Sequence, residues 1–139
     1  MASRHLGRVI ALQVLYQCAQ RKQDTIQDIC EPYIDTLDFD DTTKAWGKEL
    51  SFAIHNELSD VDSAIENYAI DWSIERMNPV DLSILRIAFY ELMHTDLSPN
   101  IILNEAIELS KKFASDESPK FINGILGKYV EKDVHRNHT

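Results

Sequence analysis

Apolar residues recur at helical spacing along most of the chain, and the stripes they form divide it into seven segments. From Val9 to Ala19 every position except Gln13 and Gln17 is apolar. At about 100° per residue these two glutamines and Gln20 share one narrow stripe, so the spacing predicts a central helix buried on most of its circumference. Residues 24–37 align Ile26, Ile29, Cys30, Tyr33, Ile34 and Leu37, with Pro32 placed to kink or stop that helix early. Asp40 to Thr43 supply capping side chains for a third helix carrying Trp46, Leu50, Ala53, Ile54 and Leu58. Ser59-Asp60-Val61-Asp62 then restarts a fourth, with Val61, Ala64, Ile65 and Tyr68 inward.

The second half repeats one signal three times: Asn78-Pro79, Ser98-Pro99 and Ser118-Pro119, each an N-cap residue followed by proline at the first helical position. The predicted helices run to about Met93, with Val80, Ile84, Leu85, Ala88 and Leu92 inward; to about Phe113, with Ile102, Ala106 and Leu109; and to about Glu131, with Phe121, Ile122, Ile125 and Leu126. Residues 132–139 read as a frayed tail. The expected fold class is all-α: a single-domain bundle of about seven helices in two packed halves, residues 1–70 and 78–131, monomeric or weakly homodimeric.

Composition agrees with that picture. At 139 residues there is room for one domain, and 44% hydrophobic with 27% charged residues excludes disorder and fibrous classes. Four glycines and four prolines are too few turn-formers for a many-stranded sandwich or barrel. Cys18 and Cys30 form neither a disulfide framework nor a C-x-x-C zinc pair, so a reducing, cytoplasmic setting is expected, and Cys18 reads as a small core residue. No 18 apolar residues follow one another, which argues against a signal peptide or membrane span.

Charge alters the functional reading. Residues 1–22 hold Arg4, Arg8, Arg21 and Lys22 and no acid, whereas residues 24–75 hold 14 acids against Lys44 and Lys48, a net −12 within a chain of −9. A polyanion such as RNA would be repelled by the middle of the chain and would dock through the N-terminal segment and the nearly neutral C-terminal half. A merely solubilising acidic face explains the same tally.

Catalytic patterns are missing: there is no G-x-S-x-G, H-E-x-x-H, G-x-G-x-x-G or Walker loop, and the neighbours of His55 and His94 do not hint at general base work. The nearest metal-like spacing, His135-x-x-His138, lies in the tail. Neither catalysis, a cofactor nor a metal is expected. Two segments look like binding chemistry instead. In Ser3-Arg4-His5-Leu6-Gly7-Arg8, cations sit at a helix start, where they oppose the macrodipole and do little for folding; a phosphate ligand, or chance, accounts for them. In Glu117-Ser118-Pro119-Lys120-Phe121, a helix N-terminus, a capping or contacting Ser118 and the Lys120 cation make a modest anion site, which Asp116 and Glu117 oppose. Phe121 is either a platform for an unpaired base or a packing residue.

Read together, four segments resemble the NusB family of transcription antitermination factors over almost the whole chain: A-L-Q-V-L-Y-Q at Ala11 to Gln17, M-N-P-V-D-L-S-I-L-R-I-A-F-Y-E-L at Met77 to Leu92, I-L-N-E-A-I-E-L-S-K-K-F at Ile102 to Phe113, and D-E-S-P-K-F-I-N-G-I-L at Asp116 to Leu126. The resemblance implies a non-catalytic, all-helical adaptor that binds the single-stranded boxA element of ribosomal RNA leader transcripts. Its implied partner is NusE, a ribosomal small-subunit protein, and with it the adaptor would join a termination-resistant transcription elongation complex. Carried over by position, the RNA-binding residues are Arg4, His5, Arg8, Gln13, Tyr16, Ser118, Lys120 and Phe121, and the acidic partner-facing surface falls near Glu75 and Asp81. The family's arginine-rich helix start is reduced here to Arg4 and Arg8 around His5, which implies that the protein partner supplies part of the RNA affinity. Two alternatives share the pattern: an RNA-binding domain of the kind fused to ribosomal RNA cytosine methyltransferases, and a protein–protein adaptor or homodimer that has lost most RNA binding.

Overall fold

Four side chains open helices by capping them in the computed structural model, which describes residues 1–134. The Leu6 N–H donates to Ser3 Oγ at 3.1 Å, Asp28 N–H to Thr25 Oγ1 at 3.1 Å, Thr43 N–H to Asp40 Oδ1 at 2.7 Å and Val80 N–H to Asn78 Oδ1 at 2.8 Å. Each satisfies a donor the first turn leaves unpaired. Hydrogen bonds from Thr43 and Thr42 also hold the Asp40 carboxyl below its ordinary value. The helices are α1 (Arg4–Gln20), α2 (Ile26–Asp35), α3 (Asp41–Asn56), α4 (Leu58–Tyr68), α5 (Pro79–His94), α6 (Pro99–Phe113) and α7 (Ser118–Tyr129), with a 3-10 turn at Ile74–Arg76. No strand occurs among the described residues.

Three local expectations are corrected. Pro32 lies inside α2 without ending it; the position is exposed, so the carbonyl that its missing N–H would have served is left to solvent. Ser98 holds the expected N-cap position of α6, before Pro99, but its side chain makes no cap bond. Ser118 is the first residue of α7 rather than its cap, which is Glu117, also without a side-chain cap bond. Beyond α7 the backbone stays helical as a π-turn at Val130–Val134, past the start of the expected tail. Residues 135–139, with His135 and His138, lie outside the described residues.

The chain forms two compact units, Met1–Glu57 and Leu58 onward. The division falls before α4 rather than between residues 70 and 78, because α4 packs on α5 and α7. In the first unit α1 packs on α3 and α2 around Ile10, Val14, Ile26, Cys30 and Ile34, with Cys18, Tyr33, Leu37, Phe39 and Phe52 against them. Burial pushes the Cys30 thiol up to about 11. In the second unit α5 is buried continuously from Leu82 to Phe89, and the Tyr129 ring meets Tyr68 and Phe89 edge-on at 5.4 and 5.0 Å. The Arg86 guanidinium grips the Asp62 carboxylate with two bonds, of 2.9 and 2.8 Å, tying α5 to α4.

Candidate nucleic-acid interface

At the start of α1 the cations are organised by an aromatic ring that sequence reasoning assigned only to a helix face. The Trp46 ring on α3 lies under both guanidiniums, with Arg4 Cζ at 5.0 Å and Arg8 Cζ at 5.3 Å from its centroid. Gly7 makes room for it: a Cβ there would stand 2.1 Å from Trp46 Cε3. The Ser3 N–H also donates to Thr43 Oγ1 at 2.9 Å, fixing the helix start against α3. The two arginines are therefore neither uncompensated nor equivalent. Arg4 is exposed, whereas Arg8 is 4% exposed with its guanidinium over the ring. His5, Gln13 and Tyr16 are half-buried along the same helix.

The second basic segment differs from its expected form. Ser118 is 2% exposed, its Oγ lies 3.0 Å from Ser115 Oγ, and its N–H donates to the Ser115 carbonyl at 3.1 Å. Pro119 has no N–H, so two of the first backbone positions of α7 offer no free donor and the site depends more on its side chains. Lys120 is exposed and Phe121 half-buried. Phe121 meets Trp72 edge-to-face at 5.7 Å, so it packs and borders the surface at once.

The pair expected to face the partner, Glu75 and Asp81, is split in character. Glu75 is exposed on the 3-10 turn. Asp81 is half-buried in the first turn of α5, and its Oδ1 is enclosed without a hydrogen-bond partner. Asp81 shares a groove of about 510 Å³ with Ser118, Phe121, Trp72 and Arg76. Asp81, expected on the partner side, and Ser118 and Phe121, expected on the RNA side, thus border the same depression. Trp72 and Arg76, which border it too, were not singled out in the sequence; the available signal was a tryptophan in a short connection, outside every amphipathic stripe. Of the remaining site residues, Arg4, His5, Arg8, Gln13 and Tyr16 belong to the first unit, and Lys120 and Glu75 to the second.

Among the described residues no cluster of three or more His, Cys, Asp or Glu is arranged to hold a metal ion, and no helix is long and apolar enough to cross a membrane.

Residues 5–131 match the model of the NusB family. The transcription antitermination protein NusB of Alkaliphilus oremlandii is 41% identical over 133 residues, covering 94% of this chain and 95% of its own. That of Streptomyces griseus is 36% identical over 141 residues, covering 99% and 96%. Among solved structures, T. maritima NusB superposes with a TM-score of 0.82 at 27% identity, covering 100% of both chains. A structure of the antitermination factors NusB and NusE in complex with dsRNA superposes with a TM-score of 0.80 at 24% identity, covering 90% of this chain and 93% of that one, a likeness of fold.

Proposed function

Because the chain belongs to the NusB family, we propose that it is a transcription antitermination factor that binds boxA-type single-stranded leader RNA together with a NusE-like ribosomal protein. It acts in the cytoplasm, without catalysis, by presenting RNA and partner to the elongation complex. The observation that carries this reading is the full-length match to antitermination proteins at 41% and 36% identity. The geometry supports it in a specific way: Arg4 is an exposed cation held over Trp46 at the end of a helix, where it contributes little to folding and is available to a phosphate. The acidic stretch 24–75 suits a basic ribosomal protein.

The RNA contacts assigned to Arg4, His5, Arg8, Gln13, Tyr16, Ser118, Lys120 and Phe121, and the partner contacts of Glu75 and Asp81, are part of this proposal. So is the reading of residues 1–139 as one RNA-binding domain. Filter binding tests it with a boxA-like single strand rich in U and A, a scrambled strand and a duplex. Preference for the boxA-like strand is expected. No binding to any RNA, alongside firm association with the NusE-like protein, would leave a protein adaptor in its place.

A further inference from the structure

A groove of about 700 Å³ runs along α7, lined by Trp72, Lys120, Phe121, Gly124 and Lys128 among others. Trp72 is 48% exposed although its ring is braced edge-to-face by Phe121, so one large aromatic surface is held in place and left in solvent. Lys120, Gly124 and Lys128 are spaced four residues apart, which places them in one row along α7, with the two lysines about 12 Å apart along the axis. Gly124 between them is exposed, and a Cβ built on it would meet nothing within 4 Å. Neither packing nor a positive φ requires glycine there, and glycine lowers helix stability. What its bareness does is keep the groove floor at the backbone between two cations.

We propose that this groove is an RNA subsite in which an unpaired base stacks on Trp72 while the flanking phosphates rest on Lys120 and Lys128. The inference rests on the antitermination reading and adds to it a stacking residue, Trp72, and a second cation, Lys128. The acids of the groove are Asp71, beside Trp72, and Asp116 and Glu117, before the first turn of α7. The row from Lys120 to Lys128 leads away from Asp116 and Glu117, so a backbone following it recedes from the repulsion at the helix start. A basic peptide would find attraction at those acids but repulsion along the row. A base needs only an aromatic face, and phosphates need the two cations.

The test is a titration of fluorescein-labelled single-stranded U- and A-containing RNA, followed by anisotropy, on the full chain and three variants. Trp72→Ala is expected to weaken binding about tenfold, as loss of one base–aromatic stack does. That loss should vanish on RNA carrying abasic sites, a dependence that simple structural damage does not produce. Gly124→Leu fills the groove and is expected to weaken binding by a similar factor without lowering the melting temperature. Lys120→Gln with Lys128→Gln should reduce the slope of log K against log salt by about 1.4. Wild-type affinity in Gly124→Leu, or equal weakening of intact and abasic RNA by Trp72→Ala, would overturn the proposal. Spared RNA binding with weakened NusE-like association would hand the groove to a protein. If Arg4→Ala weakens RNA binding while the groove variants do not, only this subsite falls; if the wild-type chain binds no RNA, the antitermination reading falls with it.

Discussion

Arg4 and Arg8 share one tryptophan ring yet should behave differently when removed. Arg4→Ala deletes an exposed cation, so the slope of log K for RNA against log salt should fall by about 0.7 with the melting temperature nearly unchanged. Arg8→Ala strips a buried guanidinium and its stem from Trp46 and should cost on the order of 1 to 2 kcal/mol of stability, read by denaturant titration. Equal stability losses in the two variants would contradict this division. Glu117 poses the opposite case. It precedes α7 without making a side-chain cap bond, so neutralising it costs only its favourable interaction with the helix dipole, a few tenths of a kcal/mol. Near a bound phosphate its charge is repulsive, and Glu117→Gln should strengthen RNA binding a few-fold at low salt and less at physiological salt. Unchanged or weaker binding at both salts would remove RNA from this end of α7.

The contact between α1 and α3 depends on two missing side chains. A Cβ on Gly7 would collide with the Trp46 ring, and one on Gly47 would stand 2.8 Å from Ile10 Cβ. Gly7→Ala should therefore lower stability by about 1 to 3 kcal/mol, despite the better helix propensity of alanine, and weaken RNA binding by displacing the ring under Arg4. A melting temperature at or above wild type would show that the ring moves freely and positions nothing. Nothing in the sequence marks Gly7 as the space for a ring contributed by residue 46, because that pairing is a matter of tertiary approach. The helices themselves were legible: apolar spacing located all seven α-helices of the described residues, and Asn78-Pro79 marked the α5 start to the residue. Ser118-Pro119 misled, because the Ser115 hydroxyl and carbonyl engage Ser118 and draw it into the first turn. The division before α4 was not legible for a similar reason, since periodicity defines α4 but not that it packs on α5 and α7.

Over the whole molecule, the charge distribution bears on the proposed division between RNA and protein. With −12 concentrated in residues 24–75, long-range forces oppose a polyanion and favour a basic partner. Asp81 tests the partner side. Its Oδ1 lacks a hydrogen-bond partner, so Asp81→Asn should leave stability within about 1 kcal/mol of wild type, and Asp81→Lys should weaken association with the NusE-like protein more than binding to RNA alone. Equal loss of both ligands in calorimetric titrations would take Asp81 out of the partner surface. The central claim, that RNA and a basic ribosomal protein bind this chain as one coupled assembly, is tested most directly by the RNA dissociation constant measured at physiological salt with and without saturating NusE-like protein. At least tenfold tighter RNA binding is expected with the partner present, and the same factor for the partner when RNA is saturating, as linkage requires. Identical RNA affinity with and without the partner would contradict it.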